Sequence, residues 1–217
     1  VDHKGLVINP TPQSLERPNT GVLNISGGFK VKDKQKAFSA KDLGFIAQSP
    51  TGLEVEIDFG PKVAAKNKVK PVSGAYALSI GTKKIKINAF DERGAFYALQ
   101  TLRQVLDSPM AKAEGGLPMM EINDYPALPY RGVVEGFYGT PWSHQVRKDI
   151  INYLGRNKMN NYVYGPKDDP YHSSPNWRLP YPPQDAANIA DLVKTANENR
   201  LDFYWAIHPG KDIRWNK

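Results

Sequence analysis

The chain has 217 residues, 40% of them hydrophobic, 24% charged and none cysteine, with a formal net charge of +7. This length suits one or two domains of roughly 100–150 residues, and the apolar fraction excludes a wholly disordered chain. The lack of cysteine excludes disulfides and thiolate metal sites, and no apolar run is long enough for a membrane span or, after Val1, for a signal peptide.

Much of the positive charge falls in runs of lysine in the first half of the chain. A nucleic-acid surface would place base-stacking aromatic residues among such lysines, and these runs contain almost none. We therefore interpret them as solvated faces and predict no nucleic-acid partner, with DNA binding as the weaker alternative. The runs comprise Lys30, Lys32, Lys34 and Lys36, then Lys62, Lys66, Lys68 and Lys70, and finally Lys83, Lys84 and Lys86.

The first half of the chain predicts strands followed by a helix. Apolar and acidic residues alternate over Leu53–Phe59, which is typical of a strand with one buried face. Two apolar segments, 75–80 and 85–90, flank a short turn and predict a β-hairpin. Asp91 stands at an N-cap position, and apolar residues recur at helical spacing behind it, so a helix is expected over 93–107.

Two segments of this half predict irregular structure. Residues 62–70 are polar and indicate a loop, and 107–118 is rich in Gly and Pro and indicates a long turn before the apolar segment 119–122. We assign residues 1–125 to a small α/β domain.

After Tyr125 the pattern changes to alternating strands and helices. The order is a strand over 130–138, a helix capped by Thr140 and Pro141 and ending near Gly155, a strand over 161–165, a long loop over 166–183, a helix over 184–199 and a strand over 201–208. This βαβαβ order favours a parallel sheet. No Gly-rich phosphate loop follows the first strand, and the strands end in polar and aromatic residues, so a TIM barrel is favoured over a nucleotide-binding fold.

Three strands cannot close an eight-stranded barrel. An open remnant would leave an unpaired strand edge and an uncovered apolar face. The predicted fold is therefore α/β, with a small α/β domain (1–125) followed by the first three βα units of an incomplete TIM barrel (126–217). We expect the chain to be the amino-terminal part of a longer protein.

In a TIM-barrel enzyme, the catalytic and substrate-binding residues lie at the carboxyl ends of the strands. At the end of the first strand, Gly136 would let the backbone approach a ligand, and Phe137 and Tyr138 offer apolar faces, although a tight turn with aromatic packing is an equal alternative. At the end of the third strand, His208 is a candidate base or metal ligand. No second metal ligand lies at a helical or hairpin spacing from it, which favours a hydrogen-bonded structural histidine.

At the end of the second strand, Lys167 is placed to hydrogen-bond the hydroxyls of a polar ligand. The following Asp168 and Asp169 could form a general acid and base. Adjacent residues of an extended segment point to opposite sides, however, so the two carboxylates more readily fix a turn or pair with Arg178. No Gly-x-Ser-x-Gly motif supports acyl transfer.

Long stretches of the second half are similar to a known family. They are RGVVEGFYGTPWSHQ (131–145), NKMNNYVYGPKDDPYHSSPNWRLPYP (157–182), ANENRLDFYWAIHPG (196–210) and the closing Asp212, Ile213, Arg214 and Trp215. Together they resemble glycoside hydrolase family 84, which contains bacterial O-GlcNAcase-like and hyaluronidase-like β-N-acetylglucosaminidases. Upstream, DERGAFYALQTLRQVL (91–106) and MEINDYPALPYRG (120–132) resemble the small α/β domain that precedes the barrel in such enzymes and in family 20 hexosaminidases.

The resemblance implies retaining hydrolysis of terminal β-linked N-acetylglucosamine, with the substrate's own acetamido group as nucleophile and an oxazoline as intermediate. The family's two consecutive aspartates follow a fourth barrel strand, beyond Lys217, so the resemblance implies that this chain is inactive alone. Gly136 and Lys167 match the family's substrate-binding residues. Phe137, Tyr138, Asp168, Asp169 and His208 are possible residues of the pocket wall. Neither a metal nor a cofactor is implied.

The implied partner is an N-acetylglucosamine-containing glycoconjugate, without an obligate protein partner. The family also implies a secreted, periplasmic or cell-surface bacterial location. A non-catalytic carbohydrate-binding module, using the aromatic residues Trp142, Tyr171 and Trp177, is the alternative function.

Overall fold

The computed structural model describes residues 5–173, 175–209, 213, 214 and 216. Asp212 and Trp215 of the closing family-like motif lie outside the described residues. The chain forms two compact units, Val1–Ala127 and Leu128–Lys217. No helix in the described part of the chain combines the length and the apolar character needed to cross a membrane.

The first unit is a mixed six-stranded sheet with helices and a separate two-stranded sheet formed by β2 and β7. Its strands are β1 (Ser14–Glu16), β2 (Val22–Leu23), β3 (Phe29–Asp33), β4 (Leu53–Phe59), β5 (Tyr76–Ile80), β6 (Lys84–Ala89), β7 (Leu117–Pro118) and β8 (Met120–Asp124), and its helices are α1 (Pro61–Lys66), α2 (Glu92–Asp107) and α3 (Pro109–Glu114). The large sheet has the order β1-β8-β5-β6-β4-β3. Strands β5 and β6 pair antiparallel, so the predicted hairpin is confirmed.

The core of this unit lies between one face of the large sheet and α2. The predicted strand alternates as expected, because Val55 and Ile57 of β4 are fully buried. The predicted N-cap of α2 is also confirmed, since the Asp91 carboxylate accepts a 2.8 Å hydrogen bond from the Gly94 amide. Leu99 and Leu102 then point from α2 into the sheet core.

Charged side chains of β3, β4 and β6 form a ladder of ion pairs on this sheet. Lys34, which directly follows β3, lies 2.9 Å from Glu56 of β4, and Lys84 of β6 lies 2.7 Å from the same carboxylate on the other side. Hydrogen bonds from Lys84 and then Lys34 lower the pKa of Glu56 to about 2. Several lysines of the predicted solvated faces are therefore paired with carboxylates across the strands.

Both segments predicted as irregular contain short helices. In the polar segment 62–70, α1 begins with Pro61 and buries Ala64 against Val69 and Ala75, so a few small apolar residues anchor it. In 107–118, Ser108 caps α3 by accepting a hydrogen bond from the Ala111 amide, and Gly115 ends it with a φ of 67°. The turn-forming residues of this segment act as helix start and stop signals.

The second unit is a three-stranded parallel sheet with two helices, as the βαβαβ pattern predicts. Its elements are β9 (Gly132–Glu135), α4 (His144–Arg156), β10 (Asn161–Tyr164), a single 3₁₀ turn (Asn176–Arg178), α5 (Pro183–Glu198) and β11 (Asp202–Trp205), with the sheet order β11-β10-β9. The first and third strands are shorter than predicted. The N-cap assigned to Thr140 and Pro141 was wrong, because the Ser143 hydroxyl caps α4 by accepting from the Val146 amide.

The two faces of this small sheet have opposite environments. One face packs on α4 and α5, where Tyr162 stacks on Phe203 and lies among Ile151, Leu154 and Leu192. The other face leaves Val134 66% exposed and Tyr204 43% exposed. The sheet therefore has one covered and one uncovered apolar face.

Candidate functional site

The carboxyl ends of the three parallel strands lie side by side in the second unit. Tyr164 of β10 is in register with Glu135 of β9 and with Trp205 of β11. Backbone bonding continues past the strands, since the Gly165 amide donates to the Glu135 carbonyl at 3.0 Å and the Ala206 amide donates to the Tyr164 carbonyl at 2.8 Å. The three following loops therefore leave the sheet at one edge, as in barrel enzymes.

These loops bring the predicted site residues together. The Lys167 amide donates to the carbonyl of Phe137, the residue after Gly136, at 3.1 Å. The Lys167 ammonium lies 3.4 Å from Nε2 of His208. Three residues from three separate segments, Gly136, Lys167 and His208, thus form one cluster at the strand ends.

The aromatic residues of the first loop differ in their exposure to solvent. Tyr138 is 82% exposed, and Phe137 packs edge-on against Trp142 with ring centroids 5.1 Å apart. Phe137 therefore fits the predicted aromatic packing, whereas Tyr138 fits the predicted apolar face that is open to a ligand.

Asp168 and Asp169 lie at a tight turn rather than on the extended segment expected from the sequence, and they differ in burial. Asp168 is exposed, whereas Asp169 is buried with only 7% of its surface exposed. The Asp169 carboxylate accepts hydrogen bonds from the hydroxyls of Tyr164 (2.6 Å) and Tyr181 (2.8 Å) and from the Tyr171 amide (2.7 Å). Asp169 therefore fixes a turn, one of the two alternatives drawn from the sequence, and the geometry does not make the two aspartates an acid–base pair.

Tyr164 and Tyr181 remain protonated donors to Asp169. Burial raises the pKa of both phenols, and the adjacent carboxylate raises it further. Tyr181 also accepts a 2.9 Å hydrogen bond from the Trp205 indole on β11. The carboxylate is thus linked to two strands of the sheet.

Glu135 forms a second buried carboxylate centre, at the end of β9, that the sequence patterns did not identify. It is fully buried and accepts two charge-assisted hydrogen bonds from Arg147 of α4, from Nη2 at 2.8 Å and from Nε at 2.9 Å. The Tyr162 hydroxyl and the Trp142 amide also donate to it. Burial lowers the pKa of Arg147, but the hydrogen bonds to Glu135 outweigh burial and raise it, so the guanidinium stays charged. The sequence feature that could have identified this buried carboxylate is a glutamate at the end of an otherwise apolar strand.

The helices are joined by another ion cluster away from the strand ends. Asp191 of α5 lies 2.7 Å from the Lys148 ammonium and 2.8 Å from His144 Nε2, both on α4. Lys148 and then His144 lower the pKa of Asp191. This cluster holds α4 against α5 rather than contributing to the site.

A cavity of about 290 Å³ lies between α4, α5 and the loop after β10. It is lined on the helix side of the sheet by residues such as Arg147, Tyr171 and Asn188. Asp168 and Asp169 also line it, whereas Gly136, Lys167 and His208 do not. Among the described residues, no group of three or more His, Asp or Glu side chains could hold a metal ion.

Comparison with family models matches both units. Residues 6–125 match the model described as glycosyl hydrolase family 20, domain 2, and residues 131–217 match the model described as beta-N-acetylglucosaminidase. The solved structure of CpGH84B is similar with a TM-score of 0.80 and 31% identity, covering 98% of this chain and 39% of that protein.

This chain spans only a small part of the length of the curated relatives that it matches. The protein O-GlcNAcase of Rattus norvegicus is 41% identical over 85 residues, covering 39% of this chain and 9% of that protein. The N,N'-diacetylchitobiase of Vibrio harveyi is 30% identical over 181 residues, covering 80% of this chain and 19% of that protein. The two family models together span both units, and the chain belongs to the β-N-acetylglucosaminidases of glycoside hydrolase family 84.

Proposed function

We propose that the complete protein hydrolyses terminal β-linked N-acetylglucosamine from glycoconjugates with retention of configuration. The observation that carries this proposal is the cluster of Gly136, Lys167 and His208 at the carboxyl ends of three parallel strands. In this proposal the 217-residue chain supplies one wall of the sugar pocket.

Lys167 holds the sugar through its ammonium group. An ammonium offers three donors, one of which reaches His208, so the others are available to hydroxyls of a sugar ring. Gly136 has no side chain, so the backbone can lie close to the ring. Phe137 and Tyr138 are candidates for apolar contacts to the sugar.

The chemistry follows the substrate-assisted route of the family. The acetamido oxygen attacks the anomeric carbon while a general acid gives its proton to the leaving oxygen, and water then opens the oxazoline with return of the proton. The two consecutive aspartates that would serve this route follow a fourth strand in the family. We therefore propose that the present 217 residues do not turn over substrate alone.

We also propose that the second unit forms the first three βα units of an eight-stranded barrel. The exposed Val134 and Tyr204 support this, because in a closed barrel this uncovered sheet face would become the packed interior. By family, the protein is secreted, periplasmic or bound at a bacterial cell surface, which cell fractionation with an antibody against the chain would test.

The test is turnover of an aryl β-N-acetylglucosaminide by the purified chain and by the chain extended through a complete barrel. We expect no turnover by the chain and clear turnover by the extended protein. Lys167→Ala in the extended protein should lower kcat/KM by about 10–100-fold, the effect of losing a hydrogen bond from a charged group.

Arg178→Ala is the matched control, because Arg178 is a cation of the same loop whose guanidinium lies over the Trp177 ring. It should change kcat/KM by less than about threefold. Full activity of Lys167→Ala, or turnover by the isolated chain that survives repurification, would contradict the proposal.

A further inference from the structure

We propose that Asp169 is a positioning residue, whose buried carboxylate fixes the turn that presents Lys167 to the sugar. This inference rests on the proposed function, because it assigns Asp169 a role that acts through Lys167. Asp169 itself is directed toward the helix side of the sheet, where Tyr164 and Tyr181 surround it.

Lys167 lies at a corner of a tight turn. The Asp169 amide donates to the Pro166 carbonyl at 3.0 Å, which closes the turn and leaves Lys167 and Asp168 at its two corners. The entry to the turn is held by the sheet, since the Gly165 amide donates to the Glu135 carbonyl. Beyond the turn, the His208 amide donates to the His172 carbonyl at 2.7 Å, whereas the exit at Asp169 itself is held by the Asp169 carboxylate.

The Asp169 carboxylate ties this exit to β10. Its Oδ2 atom accepts from the Tyr164 hydroxyl, and Tyr164 is the last residue of the strand that leads into the turn. Its Oδ1 atom accepts from the Tyr171 amide and so fixes the chain on the far side of the turn. Both ends of the turn are thereby anchored to one strand, which limits where the Lys167 backbone can lie.

A second phenol extends this anchor to the neighbouring strand. Tyr181 donates to the same Oδ2 atom and accepts from the indole of Trp205 on β11. The loop therefore closes on the sheet at two points, and the Lys167 ammonium meets His208 beyond the end of β11. A displacement of Asp169 would shift Lys167 relative to both strands.

Replacement of Asp169 by asparagine disturbs this arrangement without changing the size of the side chain. A carboxylate accepts from both phenols and the amide, whereas a carboxamide offers one oxygen and two N–H donors. Whichever way the carboxamide turns, its NH2 group faces either the two phenol hydroxyls or the Tyr171 amide, so at least one of the three hydrogen bonds is lost. Asp169→Asn should therefore loosen the turn while leaving Lys167 chemically intact.

The test is a double-mutant cycle in the complete enzyme, with kcat/KM for an aryl β-N-acetylglucosaminide as the readout. We expect Asp169→Asn alone to lower kcat/KM by about tenfold, and by less than about twofold in the Lys167→Ala background, because residues that act through one contact are non-additive. The control Asp185→Asn makes the same charge change on an exposed side chain of α5 and should stay within about twofold of the wild type.

The outcomes separate the two proposals. Wild-type activity of Lys167→Ala overturns the proposed function and this inference together. A damaged Lys167→Ala combined with a harmless Asp169→Asn, or with equal Asp169→Asn losses in both backgrounds, overturns only the positioning role. If Asp169→Asn does not fold, Tyr181→Phe removes one donor to the carboxylate, and its loss of about threefold should likewise disappear in the Lys167→Ala background.

Discussion

The two units differ in whether their ionisable side chains are buried. In the first unit, the described buried polar residues are the neutral Gln100, Thr101 and Ser108, and the charged ladder around Glu56 lies near the surface. In the second unit, the buried polar residues include four ionisable ones, and apolar side chains such as Val134 are exposed instead. These ionisable residues are Glu135, Lys158, Asp169 and His172.

This difference shows where the fold departs from the rule that apolar groups are buried and charges exposed. Burying a carboxylate costs free energy unless it is paired and fully hydrogen-bonded. Glu135 is paired with Arg147, and Asp169 accepts hydrogen bonds from two phenols and an amide. Each lies where a strand gives way to a loop of the proposed site. Departures from local rules concentrate at functional positions, which supports the assignment of the strand ends as the site.

Glu135→Ala should cause the largest loss of stability among the substitutions considered. A small loss would contradict the view that the second unit depends on a buried, paired charge. The substitution leaves the Arg147 guanidinium, 13% exposed, without its carboxylate, so the second unit should lose about 3–5 kcal/mol. All four tryptophans lie after residue 141, so tryptophan fluorescence during urea unfolding follows this unit alone.

Far-UV circular dichroism reports both units and supplies the control for Glu135→Ala. We expect the fluorescence midpoint to fall while a later dichroism transition from the first unit persists. An unchanged fluorescence midpoint would show that Glu135 is not the centre that stabilises the strand end.

Leu99→Ala should produce a somewhat smaller effect in the other unit. Leu99 of α2 is fully buried against the six-stranded sheet, and its truncation should cost about 2–4 kcal/mol through lost burial and a residual cavity. The loss should be seen by circular dichroism with an unchanged tryptophan transition. A matching shift in tryptophan fluorescence would mean that the two units unfold as one, contrary to their separate cores.

Glu56→Gln should cause the smallest loss of stability, and it tests how much the charged ladder contributes to the first unit. The folded pKa of Glu56 is about 2, below its ordinary value of 4.5, so its stabilisation is complete above pH 4.5 and is lost as the pH falls toward 2. Because the pairs are partly exposed, the loss should be about 1 kcal/mol or less.

The measurement for Glu56→Gln is unfolding by circular dichroism across this pH range in low and high salt. The wild type should lose stability on acidification more steeply than Glu56→Gln, and the difference should shrink in high salt. Equal slopes for the two proteins would indicate that the ladder contributes nothing to stability.

Patterns within a short stretch of sequence were enough for much of the fold. The alternation over Leu53–Phe59, the hairpin of β5 and β6 and the capped helix α2 each depend on neighbours a few residues apart, and each was predicted correctly. The α1 helix was missed because its anchor is Ala64 packing on residues outside the helix, which composition does not show.

The sequence by itself determined the order of strands and helices, the α/β class and the presence of Gly136 and Lys167 at strand ends, because hydrophobic period and turn residues are local properties. Only the tertiary structure decided that Glu135 is buried on Arg147, 12 residues away, and that Asp169 receives the hydroxyl of Tyr181, also 12 residues away. Such partners meet only after parallel strands align and helices pack on them. The burial and pairing of a charge depend on that assembly and not on neighbours along the chain.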